Sequence, residues 1–207
     1  MDTILQTARL RLRRFRPSDI EHLYALDNDP EVMRYINGGA AVSRETIADE
    51  VLPLFLDHPS EDPGLGFWAA EQREGRAFVG WFSLRRHVTH PGEAILGYRL
   101  MRRYWGRGYA TEGARALLGL CFRRLGVARV TASTYEENIG SRRVMAKLGM
   151  HFVRAYRLTP EDLARIDTAQ VDADNPWPGQ DVEYALTREE WEGGGEWRGG
   201  SPSQRSE

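Results

Sequence analysis

The chain has 207 residues, of which 41% are hydrophobic and 28% are charged, and its formal net charge is −2. This length fits a single domain with a sizeable core, and the composition excludes a disordered chain. The near-neutral charge gives no reason to expect nucleic acid as a partner, and no stretch reaches the ~18 apolar residues of a membrane helix.

The first elements predicted along the chain are a strand and several short helices. Residues 8–15 alternate apolar and basic side chains with a period of two, which predicts a half-buried strand. Ser18 and Glu21 have the spacing of a capping box, so a short helix is expected directly after them. Ser43 predicts the start of another helix further on.

The centre of the chain changes from strands to alternating strands and helices. This order predicts an α/β (α+β) fold with a mixed sheet. The strands are expected at 67–71, 78–84, 94–101, 127–134, 152–158 and 181–186, and the helices at 109–124 and 139–148.

The last part of the chain has a different character. A short helix is predicted to begin at Thr159, and an irregular loop is predicted over residues 172–179. From Gly193 the composition is that of a flexible tail. We therefore expect one domain over residues 1–191 and a tail over residues 192–207.

Cys121 is the only cysteine, so no intramolecular disulfide can form and a reducing compartment is expected. It lies in the apolar run LLGLCF, which favours a buried structural thiol over a nucleophile. The amino terminus lacks the apolar stretch of a signal peptide, and a cytoplasmic location is therefore predicted. His87 and His90 are too few to form a zinc site, so no metal is expected.

The segment RRYWGRGYATEG combines a strand end, two glycines and a helix start. Such a turn presents unpaired backbone N–H groups at the positive end of the helix dipole, and glycine lets an anion approach closely. Arg102, Arg103 and Arg107 add positive charge, and Thr111 adds a hydroxyl donor. The pattern indicates a phosphate site, although a simple tight turn at Gly106 and Gly108 explains the segment alone equally well.

Two other phosphate-binding motifs fit this segment poorly. A P-loop requires a lysine, and this segment has none. A dinucleotide fingerprint requires three glycines in an early parallel βαβ unit, whereas these glycines follow an antiparallel block. About 30 residues further on, Asn138 and Ser141 lie one turn apart at the start of the next predicted helix. One of them caps that helix, and both could face a ligand.

These two motifs together resemble those of the GNAT acetyltransferase superfamily. The segments TARLRLRRF, GYRLMRRYWGRGYATEG, NIGSRRVMAKLGM and DVEYALTREEW look most like the branch of the ribosomal-protein N-terminal alanine acetyltransferases. The resemblance spans residues 7–191. It implies a mainly antiparallel sheet of about seven strands, flanked by helices and splayed near the cofactor.

The resemblance also implies an acetyl-CoA cofactor and no metal. The loop would bind the pyrophosphate through its amides, and the preceding strand would offer main-chain groups to the pantetheine arm. Asn138 would contact that arm as well, and Arg142 would reach the adenosine end. The implied cofactor-binding residues are Leu100, Met101, Arg102, Arg103, Gly106, Arg107, Gly108, Tyr109, Ala110, Thr111, Asn138, Ser141 and Arg142.

The resemblance implies direct attack of an amine on the thioester, with Ser141 as the proton donor to the departing thiolate. The general base is not identified, because Ile95 and Ser133 occupy the two positions at which relatives carry a glutamate. Glu93, Tyr135 and Glu137 are the candidate replacements, each of which is as readily explained by solvation or packing.

The acceptor is expected to be a primary amine, either a protein N-terminus or a small molecule. Its specificity is expected to reside in residues 17–56, 85–93 and 159–180. A homodimer is expected from the resemblance alone. The missing glutamates leave open a non-catalytic acyl-CoA-binding module, and an interaction protein without any ligand is a third alternative.

Overall fold

The structure is a computed structural model that describes residues 3–56, 64–87, 89–157 and 179–194. The predicted helix at Thr159, most of the loop at 172–179 and most of the predicted tail lie outside these ranges. The strands are β1 (Thr3–Gln6), β2 (Leu10–Arg13), β3 (Gly66–Gln72), β4 (Phe78–Arg86), β5 (Glu93–Leu100), β6 (Arg129–Tyr135), β7 (His151–Tyr156) and β8 (Asp181–Thr187). The α-helices are α1 (Ile20–Asp27), α2 (Pro30–Asn37), α3 (Arg44–Thr46), α4 (Leu52–Leu56), α5 (Tyr109–Arg124), α6 (Ile139–Lys147) and α7 (Arg188–Gly193).

The described strands form one sheet in the order β1-β2-β3-β4-β5-β6-β8-β7. The predicted mixed, mainly antiparallel sheet is confirmed, with eight described strands in place of about seven. β5 and β6 are paired in parallel, and the other neighbouring strands are antiparallel. The additional strand is β1, a short apolar segment that pairs with the basic, alternating strand β2.

Two separate hydrophobic clusters cover the two faces of the sheet. Helices α5 and α6 pack on one face, where Leu117, Leu118 and Met145 join residues of the central strands. Helices α1 to α4 cover the other face, where Leu23 and Ile47 pack near Trp81. The first face is called the α5 face below, and the second the α1 face.

The start of α1 differs from the sequence prediction. Ser18 and Glu21 do not form a capping box, because Pro17–Asp19 forms a 3₁₀ turn ahead of the helix. The Asp19 carboxylate accepts a hydrogen bond from the Arg16 amide at 2.8 Å and is bound by the Arg13 guanidinium from β2. Because the Arg13 guanidinium binds it, Asp19 lies at the start of the helix in place of the predicted Ser18. The predicted cap at Ser43 is confirmed, since its hydroxyl accepts a hydrogen bond from the Thr46 amide.

The helices of the α5 face match their predicted bounds closely. α5 covers the predicted residues and is followed by Gly126 with a φ of +67°, and α6 is followed by Gly149 with a φ of +84°. Both glycines take the left-handed conformation that commonly ends a helix. Two regular helices therefore hold the loop and the Asn138 segment on the same side of the sheet.

Candidate active site

A gap opens in the sheet between β5 and β6. The two strands pair only from Glu93 to Ile95 on β5 and from Arg129 to Thr131 on β6. Beyond Ile95, β5 remains paired with β4 alone, while β6 continues alongside β8. The splay implied by the resemblance is therefore present, next to the end of β5 that leads into the glycine loop.

The alternation of hydrogen bonds along β5 determines which main-chain groups face the gap. The Met101 amide donates to the Val79 carbonyl, and the His87 amide donates to the Glu93 carbonyl, so odd-numbered residues of this segment bond toward β4. The even-numbered Leu96, Tyr98 and Leu100 therefore direct their main-chain groups toward the gap. An extended ligand arm in the gap would find these groups available.

Both main-chain groups of Met101 make hydrogen bonds within the protein. Its amide is donated to Val79 and its carbonyl accepts a hydrogen bond from the Tyr104 amide, both at 2.9 Å. At the end of the strand, the Leu100 amide is directed toward the gap, whereas the Leu100 carbonyl accepts a hydrogen bond from Trp105 Nε1 at 2.8 Å. The contact of Met101 with a cofactor stays a prediction.

The glycine loop follows a 3₁₀ turn over Arg102–Tyr104 and ends at the first residue of α5. Gly106 has a φ of +71° and Gly108 a φ of +81°, a region in which a side chain is strained. The Glu112 amide makes a helical hydrogen bond to the Gly108 carbonyl at 3.0 Å. The amides of the three preceding residues lie in the first turn of the helix, where no intrahelical acceptor exists. The loop thus has the backbone geometry of an anion site.

The predicted arginines surround this loop. Arg102, Arg103 and Arg107 are exposed. A cavity of about 250 Å³ lies between the ends of α1 and α2 and the start of the loop. It is lined by Ala25, Leu26, Asp29, Val32, Met101, Arg102 and Arg103. Two of the predicted cofactor-binding arginines therefore also face a recess toward the α1 face.

Tyr109 has a different role from the exposed residues of the loop. Its ring is buried, and its hydroxyl accepts a hydrogen bond from the Gln72 side chain at 2.9 Å. The Tyr109 side chain thus connects the start of α5 to β3. Its main-chain amide takes no part in this contact and is left for a ligand. Ala110 and Thr111 follow in the first turn and are partly exposed.

Asn138 caps α6 with its side chain. Its Oδ1 accepts a hydrogen bond from the Ser141 amide, and its Nδ2 donates one to Thr134 Oγ1, both at 3.1 Å. Asparagine is favoured at this position because it satisfies a helical N–H group. Both ends of the side-chain amide are therefore engaged within the protein, and the contact of Asn138 with a pantetheine arm stays a prediction.

A pair of hydroxyl groups connects the two sides of the gap. Ser141 Oγ on α6 lies 2.9 Å from the Tyr98 hydroxyl on β5. Burial raises the pKa of Tyr98 to about 12, while its hydrogen bond to Ser141 acts in the opposite direction. The phenol is therefore neutral at physiological pH and keeps its proton. Sequence analysis missed Tyr98, because 43 residues separate it from Ser141 and only the fold brings them together.

Arg142 is held within the protein. Its Nη1 donates to the Glu136 carbonyl at 2.9 Å, and its Nε donates to the Tyr184 hydroxyl at 3.1 Å. These bonds stabilise the turn between β6 and α6. A contact with an adenosine group stays a prediction, and it would have to replace or extend them.

Of the three candidate bases, Glu93 lies far from Tyr135 and Glu137. Glu93 lies where β5 and β6 are still paired, and its carboxylate binds Arg129 at 2.7 Å. Tyr135 lies six residues beyond Arg129, which corresponds to ~20 Å of strand. Glu93 and Tyr135 therefore lie near opposite ends of β6. Tyr135 is buried and stacks on Tyr35 of α2 at 5.9 Å, whereas Glu137 is exposed.

Asp181, which sequence analysis also missed, lies directly opposite Tyr135 in the pairing of β6 with β8. Residues paired across two strands share one face, so Asp181 lies on the same face as Tyr135. Burial raises its pKa, and its carboxylate has no hydrogen-bond partner among the described residues. A carboxylate of this kind at the open end of the sheet is a candidate base.

The remaining expectations concern metals, membranes and the acceptor. Within the described ranges, no group of three or more His, Cys, Asp or Glu side chains could hold a metal ion. None of the helices in the described part of the chain is long and apolar enough to cross a membrane. Residues 159–178, which were expected to contribute to acceptor specificity, lie outside the described residues. Cys121 is buried in α5, as predicted.

Comparison with known proteins adds independent findings. The family of the acetyltransferase (GNAT) domain matches residues 9–151. The FsC-acetyl coenzyme A-N(2)-transacetylase of Aspergillus fumigatus is 34% identical over 197 residues, which cover 90% of this chain and 77% of that protein.

Two solved structures share the fold. The GNAT-family acetyltransferase of Bacillus anthracis has a TM-score of 0.70 at 22% identity, covering 89% of this chain and 98% of that one. The ribosomal L7/L12 alpha-N-protein acetyltransferase RimL, solved with coenzyme A, has a TM-score of 0.68 at 17% identity. That match covers 89% of this chain and 97% of RimL.

Proposed function

Since the chain belongs to the GNAT family of acetyltransferases and is an acetyl-CoA-dependent acyltransferase, we propose that it transfers the acetyl group to a primary amine by direct attack. The observation that carries this proposal is the position of two hydroxyls, Tyr98 and Ser141, in the gap next to the glycine loop. When bound, acetyl-CoA supplies an activated thioester, and the protein has to position it and move two protons.

The residues of the chain fit this cofactor. The positive φ angles of Gly106 and Gly108 leave the loop amides accessible, and a Cβ placed on Gly106 would meet no atom within 4 Å. The open side of β5 offers main-chain groups to an extended arm. We assign the pyrophosphate to the loop and the pantetheine arm to Leu96, Tyr98 and Leu100.

The Ser141 hydroxyl is the proton donor to the departing thiolate in this proposal. Tyr98 supports this role, because its neutral phenol can return a proton to Ser141 along their hydrogen bond. The base that removes the proton from the acceptor amine is assigned to Asp181, through a water molecule. Tyr135 and Glu137 are the alternatives, and Glu93 is not supported because Arg129 binds it at the closed end of the gap.

For the acceptor we favour a small-molecule amine over a protein N-terminus. The relative at 34% identity is named for acetyl transfer to the N(2) atom of FsC, whereas RimL shares only the fold at 17% identity. The specific likeness to ribosomal-protein acetyltransferases therefore receives little support. Cytoplasmic location and a homodimer remain predictions.

Isothermal titration with acetyl-CoA tests cofactor binding, and thiol release measured over a panel of small amines and peptides tests catalysis. We expect binding, turnover with at least one small amine, and a loss of ~10²-fold in turnover for Ser141→Ala with little change in acetyl-CoA affinity. Tyr98→Phe should lower turnover in the same direction, because the phenol can then no longer return a proton to Ser141. The absence of binding at millimolar acetyl-CoA would contradict the proposal.

A second candidate function is a non-catalytic acyl-CoA-binding module. The observation in its favour is that Ile95 and Ser133 replace the glutamates expected of a base. Binding of acetyl-CoA without turnover of any amine would support this candidate instead. Asp181→Asn should then leave acetyl-CoA binding unchanged.

A further inference from the structure

A side-chain brace connects the glycine loop to the turn between β1 and β2. Arg9 Nη1 donates a hydrogen bond to the Arg107 carbonyl at 2.9 Å. The same guanidinium binds the Glu112 carboxylate through Nε at 2.7 Å and Nη2 at 2.6 Å, and the Arg9 amide donates to Glu112 Oε1 at 2.8 Å. Arg9 thus binds both the loop and the first turn of α5, although it lies about 100 residues before them in the chain.

The carbonyl that Arg9 binds belongs to the same peptide group as the Gly108 amide. The described chain has no cis peptide bonds, so the C=O and N–H of this group point in opposite directions. Because Arg9 holds the Arg107 carbonyl toward itself, the Gly108 N–H must point away from Arg9. The left-handed Gly108 would otherwise allow this peptide to rotate, because glycine has an unusually wide choice of conformations.

The brace also changes the charge at the start of α5. Glu112 lies in the first turn of the helix, where a carboxylate would repel a bound phosphate. Burial tends to raise the Glu112 pKa, but the hydrogen bonds from Thr7 and Arg9 outweigh burial and hold the pKa below its ordinary value. The carboxylate is therefore ionised, and the Arg9 guanidinium, whose Nε and Nη2 both bind Glu112 Oε2, compensates its charge. The guanidinium also lies over the Tyr109 ring at 4.4 Å.

We propose that Arg9 is a positioning residue of the cofactor site, which aims the Gly108 amide at the pyrophosphate and cancels the charge of Glu112. Arg9 lies outside the glycine loop and the Asn138 segment, and it acts on the cofactor through Arg107 and Glu112. This inference rests on the proposed binding of acetyl-CoA by the loop.

The test compares Arg9→Ala with the wild-type protein by titration with coenzyme A. We expect the dissociation constant to rise about tenfold, which corresponds to about 1.4 kcal/mol. The second readout is the Gly108 amide resonance in a ¹⁵N-labelled protein. A downfield shift of its proton on coenzyme A binding is expected in the wild type and is expected to be lost in Arg9→Ala, while the Ser141 resonance still responds.

Arg73→Ala is the matched control, since Arg73 binds the same turn through the Thr7 carbonyl at 3.1 Å but does not contact the loop. Its coenzyme A affinity should stay within twofold of wild type. Arg9→Lys keeps the charge but lacks the planar fork, so it should weaken binding in the same direction and remain folded if Arg9→Ala does not.

The inference is overturned if both Arg9 variants bind coenzyme A within twofold of wild type, if the Gly108 shift persists in them, or if Arg73→Ala weakens binding equally. Failure of the wild-type protein to bind coenzyme A is a separate outcome, which contradicts the proposed function itself.

Discussion

The two faces of the sheet are built in different ways. On the α5 face, the proposed cofactor site consists of the backbone of one loop and one helix start, which a short stretch of sequence encodes. On the α1 face, charged groups from distant elements are buried together: Arg13 with Asp19 and Glu71, and Arg99 with Asp27. Sequence patterns therefore reveal the proposed cofactor loop much more readily than the buried charges of the α1 face.

The strongest test of this contrast is the buried cluster on the α1 face. Arg13 has a side chain that is 4% exposed, and its guanidinium binds Asp19 at 2.7 Å through both terminal nitrogens. Arg13→Met would leave the buried Asp19 without its ion-pair partner, and Glu71 with only the longer contacts to Arg11 and Arg76. We expect the free energy of unfolding to fall by about 3–5 kcal/mol, as measured by urea denaturation.

The control for this prediction is Arg44→Met on the same face. Arg44 forms an exposed ion pair with Glu21, for which no measurable change in the free energy of unfolding is expected. Equal losses in the two variants would contradict the claim that burial makes the Arg13 cluster important.

The second prediction concerns the α5 face, where backbone conformation should dominate. Gly108→Val places a β-branched residue at a φ of +81° in the proposed phosphate site, so we expect coenzyme A affinity to fall about 100-fold, or about 2.7 kcal/mol. Gly75→Val is the matched control, because Gly75 has a φ of +73° in a turn where a Cβ meets nothing within 4 Å. Titration calorimetry should show near wild-type affinity for Gly75→Val, and a similar loss in both variants would refute the prediction.

The helices and the loop of the α5 face lie close to their predicted positions, because local patterns specify them. The glycine loop, α5 and the Asn138 cap are local patterns, and each was found close to its observed bounds. Tyr98 and Asp181 were missed because their roles depend on which strands become neighbours. The capping box at Ser18 was wrong for the same reason, since Arg13 from another element recruits Asp19.

The third prediction tests the assignment of the base on the acceptor side. Burial raises the Asp181 pKa above its ordinary value, so the carboxylate becomes active as a base only when the pH rises through this raised pKa. Turnover with a saturating amine should therefore increase with pH along an acidic limb set by Asp181. Asp181→Asn should lose about tenfold in turnover and lack this limb, because a positioned base contributes at least that much.

Tyr135, Tyr156 and Glu183 lie on or next to the strands that flank Asp181, so variants have to show which side chain sets the acidic limb. Asp49→Asn serves as the control, because Asp49 is an exposed carboxylate of the α1 face. If Glu137→Gln abolishes the acidic limb and Asp181→Asn does not, the base is Glu137 and the assignment to Asp181 is wrong.

The smallest expected effect concerns Ser83, a fully buried residue whose hydroxyl has no hydrogen-bond partner among the described residues. It lies opposite Gly97 in the pairing of β4 with β5, on the same face as Trp81, whose indole N–H also lacks a partner there. A buried hydroxyl without a partner is destabilising, so Ser83→Ala should raise the free energy of unfolding by about 1 kcal/mol. Ser133→Ala should lower it by about as much, because Ser133 accepts the hydroxyl hydrogen of Tyr156.

If Ser83→Ala raises the free energy of unfolding and Ser133→Ala lowers it, the α1 face keeps the Ser83 hydroxyl at a cost in stability. The hydroxyl is fully buried, so we expect Ser83→Ala to leave coenzyme A affinity and the KM for the amine acceptor unchanged, as titration and steady-state kinetics can show. If Ser83→Ala lowers the free energy of unfolding, its hydroxyl has a structural partner and the prediction is wrong.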